Sequence, residues 1–599
     1  MFRRAASALP PLAWAWLLCM LPVLAQALLQ HGTLPFGVPD SDGWVRLAIV
    51  RDWLNGGSWY DHHYASNAPF APATSPWTRP LDVVIALLVK LQPGVAMEAA
   101  LDRAALLLPM LWTGLVAAAV LACVRHVRPA PASYFATALV LVVMGATPIA
   151  RNYFGVGNAD HHGLLAAVWA WACYQLLRMH TGWYRPACLG ALLALMLWVS
   201  PEAIALLALA YGWLGVCWLA GHGDARPLAR TATVAALGTT LALLVERPMA
   251  QWFAPLHDTV AIGYVSAMLL AALGAWALVV AGARAWWVRM ALAAGVAVLA
   301  ALAQWAIDPR FFAGPMVDVT PFIRNEFLGK IGEAKPMLEQ PFAQVLAALI
   351  QPLAALWVLV RCARHEDGVI APRAAALLLV LTLGALALYA VQIRFYYYLF
   401  PMAALVLGVW LAAWLRPESF RAFWPAARLC RRDEAQRVRL RLPLLFLLLA
   451  APMLLILTGL SGTDAATLAR YQCRVEARRL IQQGVLAPLS PRIILAHTDM
   501  GGEILWRSKH RILAGNYHRE GPAIATVWHA FATTDRADFM ATLRTHRVGA
   551  MLICPDGDVP EAAIATRLYH GAIALPGWQR VALPEARPHS PALYRKQRP

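Results

Sequence analysis

The stretch RNYFGVGNADHHGLLAAVWAW sets Asp160, His161 and His162 in succession where one long apolar run ends and another begins. Ionisable side chains are costly near hydrocarbon, so a cluster there marks a functional site by default. Asp160 and His162, two residues apart, offer a carboxylate and an imidazole, which divalent Mn, Fe and Zn accept as ligands. Two other stretches supply acids: PDSDGWVRLAIVRDWL contains Asp40 and Asp42, and FLGKIGEAKPMLEQ contains Glu333. Asp42, Asp160, Glu333 and His162 together suit Mn2+ or Mg2+ with positions left open for phosphate oxygens. Each has a plainer reading alone: a helix cap or solvated charge for the aspartates, interfacial histidines, and a surface ion pair of Glu333 with Lys335. Arg394 lies in YAVQIRFYYYLFPM, between two apolar runs. Its planar fork suits a phosphate or carboxylate at the membrane surface, against the alternative of simple snorkelling. Tyr396, Tyr397 and Tyr398 read as an aromatic belt.

The elements that must position these groups are membrane helices. Of 599 residues, 60% are hydrophobic and only 14% charged, which excludes an ordinary soluble domain. Apolar runs predict about thirteen spans, near 10–29, 104–124, 132–150, 160–178, 187–201, 203–220, 231–247, 259–281, 286–306, 343–361, 373–391, 395–414 and 442–460. The shorter run at 80–92 reads as an interfacial or re-entrant helix. The net charge of +18 falls largely in alternate short loops, every one containing Arg, so it sets topology rather than marking a nucleic-acid partner. That pattern places the N-terminus in the cytoplasm and the C-terminus outside. MFRR followed by the run to Leu29 imitates a signal peptide but is long enough to be a retained first helix.

The expected organisation is a transmembrane domain over 1–460, with long outer segments at 30–103 and 307–342, and an extracytoplasmic α/β domain over 461–599. RIILAH and VGAMLIC are the strand-like runs of that domain. Nine cysteines include no CxxC pair. Only Cys473 and Cys554 fall in the last segment, where an oxidising compartment allows a disulfide between them.

This pattern resembles the STT3-type oligosaccharyltransferase catalytic subunits, which are GT-C membrane glycosyltransferases. The likeness covers most of the chain as architecture. DSDGWVRLAIVRDWL is similar to the family's first-loop acidic stretch, matched best by Asp42, with Asp40 the fallback. NADHH resembles its Asp-x-His motif at Asp160 and His162, and KIGEAKP its Ser/Thr-x-x-Glu motif at Glu333, with Lys330 in place of the hydroxyl residue. QIRFYYYLFP resembles its late-helix Arg motif at Arg394. The family's Trp-Trp-Asp-Tyr-Gly motif corresponds to HTDMG, which keeps Asp499 and Gly501 but no tryptophan or tyrosine; AGNYHRE follows, with Asn516, Tyr517, His518 and Arg519.

The resemblance implies transfer of a sugar or oligosaccharide from a polyprenyl-(di)phosphate carrier to a protein, lipid or glycan acceptor on the outer face of the inner membrane. It makes Asp42, Asp160 and Glu333 catalytic, assigns a divalent metal, Mn2+ or Mg2+, to Asp42, Asp160, His162 and Glu333, and places Arg394, Asp40, Asp499, His518 and Arg519 at the substrates. Two alternatives stand beside it: a GT-C transferase using a lipid-phosphate monosaccharide with a lipid or glycan acceptor, and a lipid or polysaccharide transporter. Acids gathered at span ends on one side disfavour transport, which uses midplane sites.

Overall fold

The computed structural model describes residues 9–29, 41–63, 74–282, 285–364, 368–414, 465–490, 492–555, 559–584 and 586–597. Asp40 and the expected span at 442–460 lie outside them. The earlier expected spans all fall on helices. These are α1 (Leu9–Leu29), α4 (Met97–Val127), α5 (Pro131–Gly145), α7 (His162–Leu177), α8 (Arg185–Val199), α9 (Ile204–Leu219), α10 (Arg226–Glu246), α11 (Ile262–Ala281), α12 (Trp286–Ile307), α13 (Phe342–Arg364), α14 (Pro372–Val391) and α15 (Tyr396–Trp414). Among the described residues nine helices are long and apolar enough to cross a membrane. The protein is a multi-pass membrane protein. α5, α7 and α8 are shorter, at 15, 16 and 15 residues; at about 1.5 Å per residue they fall short of a ~30 Å hydrocarbon layer. Where apolar length ends early, the chain turns, and those turns carry the polar residues of the site.

Close approach of backbones holds the bundle. A Cβ on Gly408 of α15 would run into the backbone of Thr137 on α5, so only glycine permits that contact. α12 is the opposite case, with 6% of its apolar window buried among the described residues.

Between α1 and α4 lie two short helices, α2 (Ser41–Leu54) and α3 (Arg79–Lys90). α3 has 12 residues, too few to span, as the short run at 80–92 predicts. Arg46 of α2 and Arg79 share the carboxylate of Asp82, at 2.8 and 3.1 Å, and all three are buried. Arg46 also lies 4.2 Å over the ring of Trp77. The shared Asp82 carboxylate, held by one guanidinium from each side, fixes α2 against α3.

From Ala465 onward the chain builds α16 (Ala465–Gln482), β1 (Ile493–Ala496), α17 (Thr498–Arg507), β2 (Arg511–Ile512), α18 (Gly521–Ala532), α19 (Arg536–Thr545), β3 (Val548–Ile553), α20 (Ile564–Tyr569), β4 (Trp578–Arg580) and β5 (Ala592–Lys596). The sheet order is β2-β1-β3-β5-β4, parallel at β2-β1-β3 and antiparallel at β3-β5-β4. The two strand-like runs of the sequence are β1 and β3, the buried parallel pair at its centre. Cys473 of α16 and Cys554, just after β3, are disulfide-bonded. The other described cysteines are free.

This C-terminal α/β region packs on α2. Val45 and Ile49 of α2 share a hydrophobic core with Ile494, Met500 and Ile504. A side chain on Gly502 of α17 would meet the Ser41 carbonyl, so α17 sits directly on the N-terminus of α2. Asn516 donates to the Ser41 hydroxyl at 3.0 Å. The residue beside Ser41 is Asp42.

Candidate active site

The site is assembled from turns at one end of the bundle. After the short helix α6 (Pro148–Phe154) the chain turns through Gly155 and Gly157, the latter at φ 90°, before α7 starts at His162. Asn158 braces this turn: its side chain donates to the Asn152 carbonyl at 2.5 Å and accepts the Asp160 N–H at 2.7 Å. Asp160 and His162 are both buried. Asp160 Oδ1 lies 2.6 Å from His161 Nδ1, and Oδ2 lies 3.2 Å from His162 Nε2. One carboxylate therefore orients two imidazoles.

A cavity of about 400 Å3 opens in front of them. His161 and His162 line it, with Asp42, Glu202, Glu333 and Arg394 on other walls and Asp258, Asp499, Asn516 and His518 closing the far side. Asp160 stands behind the two histidines rather than on the wall. Glu333 sits on the turn Gly332–Ala334 and accepts from the Tyr153 hydroxyl at 3.2 Å. The Ile393 N–H bonds to the Lys335 carbonyl at 3.2 Å, which fastens the Glu333 turn to the Arg394 turn. Lys330 does not touch the cavity wall; its ammonium covers the Trp528 ring at 4.6 Å.

The close donor cluster gains His161 over the set expected from the sequence and leaves out Asp42 and Glu333. The ligand atoms of Asp160, His161 and His162 all lie within 4.8 Å of one another, while Asp42 and Glu333 stand across the cavity. His161, which sequence reasoning leaves outside the ligand set, is thus as close as His162. Their chemistry fits a divalent ion of the Mn2+ or Zn2+ kind. His162 Nδ1 is buried without a hydrogen-bond partner among the described residues, and its nearest carboxylate is Glu202 at 3.9 Å.

Glu202 is the residue that sequence reasoning missed. It accepts from the Tyr397 hydroxyl at 2.5 Å and pairs with Arg394 at 3.2 Å. The signal was available: SPEA is an acid at the junction of two apolar runs, as Asp160 is. The aromatic-belt reading of Tyr396, Tyr397 and Tyr398 is corrected here. All three rings are fully buried, and Tyr397 packs against His162 at 5.0 Å. The Tyr397 hydroxyl finds its polar partner in Glu202.

On the far side, Asp499 is held by Arg474 at 2.6 Å, with His497 at 3.6 Å. His518 and Arg519 both grip Asp258, at 2.8 and 2.6 Å. Burial alone would raise the Asp258 carboxyl, but the hydrogen bonds and charges of His518 and Arg519 hold it below the usual carboxylate range. Arg519 therefore joins the C-terminal region to the 247–261 connection rather than facing the cavity.

The next residue carries a pH dependence. Glu520 is buried and accepts the Gly515 N–H at 2.7 Å. Burial pushes its carboxyl up to about 8, partly offset by that hydrogen bond. Glu503 is pushed up to about 7, again by burial. Between the ordinary carboxyl value of 4.5 and these values the folded chain holds protons that the unfolded chain has released. Stability must therefore fall as pH rises through that window. Glu520→Gln, which keeps the hydrogen bond to Gly515 without a charge, is expected to flatten the decline and raise the melting temperature above pH ~8. Thermal unfolding of the full chain across pH checks this; an unchanged slope would refute it.

With this geometry in place, the comparisons are informative about fold. No family model matches the sequence, and no curated protein matches it. The structure is similar to the archaeal oligosaccharyltransferase AglB from Archaeoglobus fulgidus in complex with an inhibitory peptide and a dolichol-phosphate. The TM-score is 0.64 at 13% identity, covering 97% of this chain and 80% of that one. The chain shares the fold of that enzyme. The same archaeal enzyme tethered to an acceptor peptide containing the NVT sequon gives a TM-score of 0.65 at 13% identity, over 96% and 79% of the two chains. Its complex with Zn and sulfate gives 0.54 at 13% identity, over 86% and 64%.

Proposed function

We propose that this chain transfers a sugar or oligosaccharide from a polyprenyl-(di)phosphate carrier to an acceptor at the outer face of a bacterial inner membrane. The observation that carries this reading is the convergence of His161, His162, Asp42, Glu202, Glu333 and Arg394 on one cavity at the end of an apolar bundle. The fold shared with an oligosaccharyltransferase supports it, as does that enzyme's complex with a dolichol-phosphate. Gathering of these groups around one cavity favours transfer over transport.

The reaction is substitution at the anomeric carbon, with the carrier phosphate leaving. Arg394, braced by Glu202, presents a fixed positive charge to the departing phosphate. Asp42 and Glu333 accept hydrogen bonds from the acceptor group and orient it toward the sugar, Glu333 being held in place by Tyr153. Asp160 keeps both imidazoles aimed at the cavity. A divalent ion held by Asp160, His161 and His162 would supply Lewis-acid stabilisation of the leaving phosphate. Imidazoles in the donor set favour Mn2+ or Zn2+ over Mg2+. The disulfide between Cys473 and Cys554 supports an oxidising location for the C-terminal region, hence the periplasm.

A second reading, transfer of a lipid-phosphate monosaccharide to a lipid or glycan, draws support from His497 and Thr498, which stand where the oligosaccharyltransferase motif has tryptophans. The purified chain, given a polyprenyl-diphosphate glycan and membranes from a strain deleted for its gene, is expected to release the carrier phosphate. Chelation should slow release on the order of a hundredfold, with recovery on adding Mn2+. An untouched donor would overturn the proposal.

A further inference from the structure

We propose that His257 is a proton-dependent positioning residue: as an imidazolium it clamps the stretch from Asp308 to Asp318 onto the 247–261 connection, and so steadies the cavity wall at Pro315 and Met316. The consequence for transfer rests on the reaction proposed above; the clamp itself does not.

His257 is 2% exposed, and both of its ring nitrogens end on carboxylates. Nδ1 lies 2.6 Å from Asp318 Oδ2, and Nε2 lies 3.1 Å from Asp308 Oδ2. The two aspartates stand on the segment that leaves α12 and runs on to Glu333. The Tyr264 hydroxyl, from α11, donates to the His257 carbonyl at 2.5 Å, and a side chain on Gly263 would meet Asp308 Oδ2 at 2.9 Å. Arg310 reaches Asp318 at 2.7 Å, while Asp258, next along the connection, is turned to His518 and Arg519. These are the charged and titratable groups that meet the ring or its partners among the described residues.

A neutral imidazole carries one N–H and donates to one carboxylate; at the other its lone pair faces lone pairs. Only the imidazolium donates to both. Loss of the proton therefore breaks one contact, and burial decides which. Asp308 is buried, so leaving it without a donor is costly, whereas the half-exposed Asp318 takes water instead. The remaining N–H stays on Nε2 and Asp318 is let go, held then by Arg310 in an exposed pair of little strength. Pro315 and Met316, which line the cavity, lie between the two aspartates. The wall they form is tied to the connection on both sides when His257 is charged, and on one side when it is not.

Hydrogen–deuterium exchange of the full chain in neutral detergent, corrected for the intrinsic pH dependence of exchange, tests this. The reporters are the amides of Val317 and Val319, which bond to the Gly314 and Met316 carbonyls at 3.2 and 3.3 Å. Raising pH from about 5.5 to about 8.5 covers the range in which imidazoles change charge. Across it these amides are expected to lose about tenfold in protection, the effect of one hydrogen bond to a charged group. Strands β1 and β3 are the control, since the decline ascribed to Glu503 and Glu520 loosens them as well. In Asp318→Asn the new amide donates to Nδ1 of the neutral ring while Nε2–H keeps Asp308, so both contacts persist without the extra proton. This variant alters a half-exposed side chain, and its Val317 and Val319 amides should follow β1 and β3. The KM for the donor should rise several-fold with pH in the wild type and stay level in Asp318→Asn. Equal pH slopes in the two proteins, or wild-type amides that merely follow β1 and β3, overturn the clamp. A clamp that loosens without moving KM overturns the positioning role. Loosening in a wild type that carries out no transfer would overturn the proposed reaction and not the clamp.

Discussion

Replacing Asp160 with alanine is expected to lower transfer by two to three orders of magnitude, on the order of 3–4 kcal/mol of transition-state stabilisation, while leaving the chain folded. The carboxylate sits behind His161 and His162 and touches both, so its removal disorients two imidazoles at once and deletes their shared negative charge. The backbone turn itself survives, because Asn158 braces it through the Asp160 N–H, which alanine retains. Asp160→Asn keeps the shape and loses the charge; it should fail nearly as badly if the charge is what matters. Carrier-phosphate release and calorimetric Mn2+ affinity should fall together. A folded Asp160→Ala protein with wild-type turnover would remove the His-Asp-His cluster from the mechanism.

The second large effect is structural. Arg519 places two guanidinium nitrogens on Asp258, at 2.7 and 2.6 Å, and His518 adds a third contact at 2.8 Å. The Asp258 side chain is only 15% exposed. Arg519→Ala leaves a mostly buried carboxylate with its main partner gone, which costs about 3–5 kcal/mol for buried pairs and less here in proportion to residual exposure. Because Asp258 and His518 both line the cavity, the expected result is a lowered melting temperature together with slower transfer. Asp258→Asn combined with Arg519→Ala should be milder than the sum of the two, since removing the charge removes the cost of stranding it. Strict additivity in that cycle would show that the pair is not coupled.

Much of this protein is legible in its sequence because apolar length is a one-dimensional signal. The helices over 104–124 or 373–391 need only a run of about 20 apolar residues to be recognised. Asp160, His162, Glu333 and Arg394 are legible for the related reason that a charge interrupting such runs is costly and must be repaid by function. The strands β1 and β3 were visible as short β-branched runs. His161 is not legible as a partner of Asp160, because spacing alone does not say which imidazole a carboxylate orients. Tyr397 reads as an interfacial residue in the sequence, because a tyrosine at a span end looks the same whether it faces headgroups or Glu202.

The residues themselves thus determined a helical membrane bundle, a C-terminal α/β region, and acids concentrated at span ends. Tertiary structure alone decided that Asp160 stands behind two histidines, that Glu202 braces Arg394, and that Asp258 ties the C-terminal region down. Apart from the Asp160 turn, these contacts join segments far apart in sequence, 260 residues for His518 and Asp258, and no local preference encodes them. They follow from which helix ends the packed bundle brings together, where burial turns each unmatched charge into a demand for a specific partner.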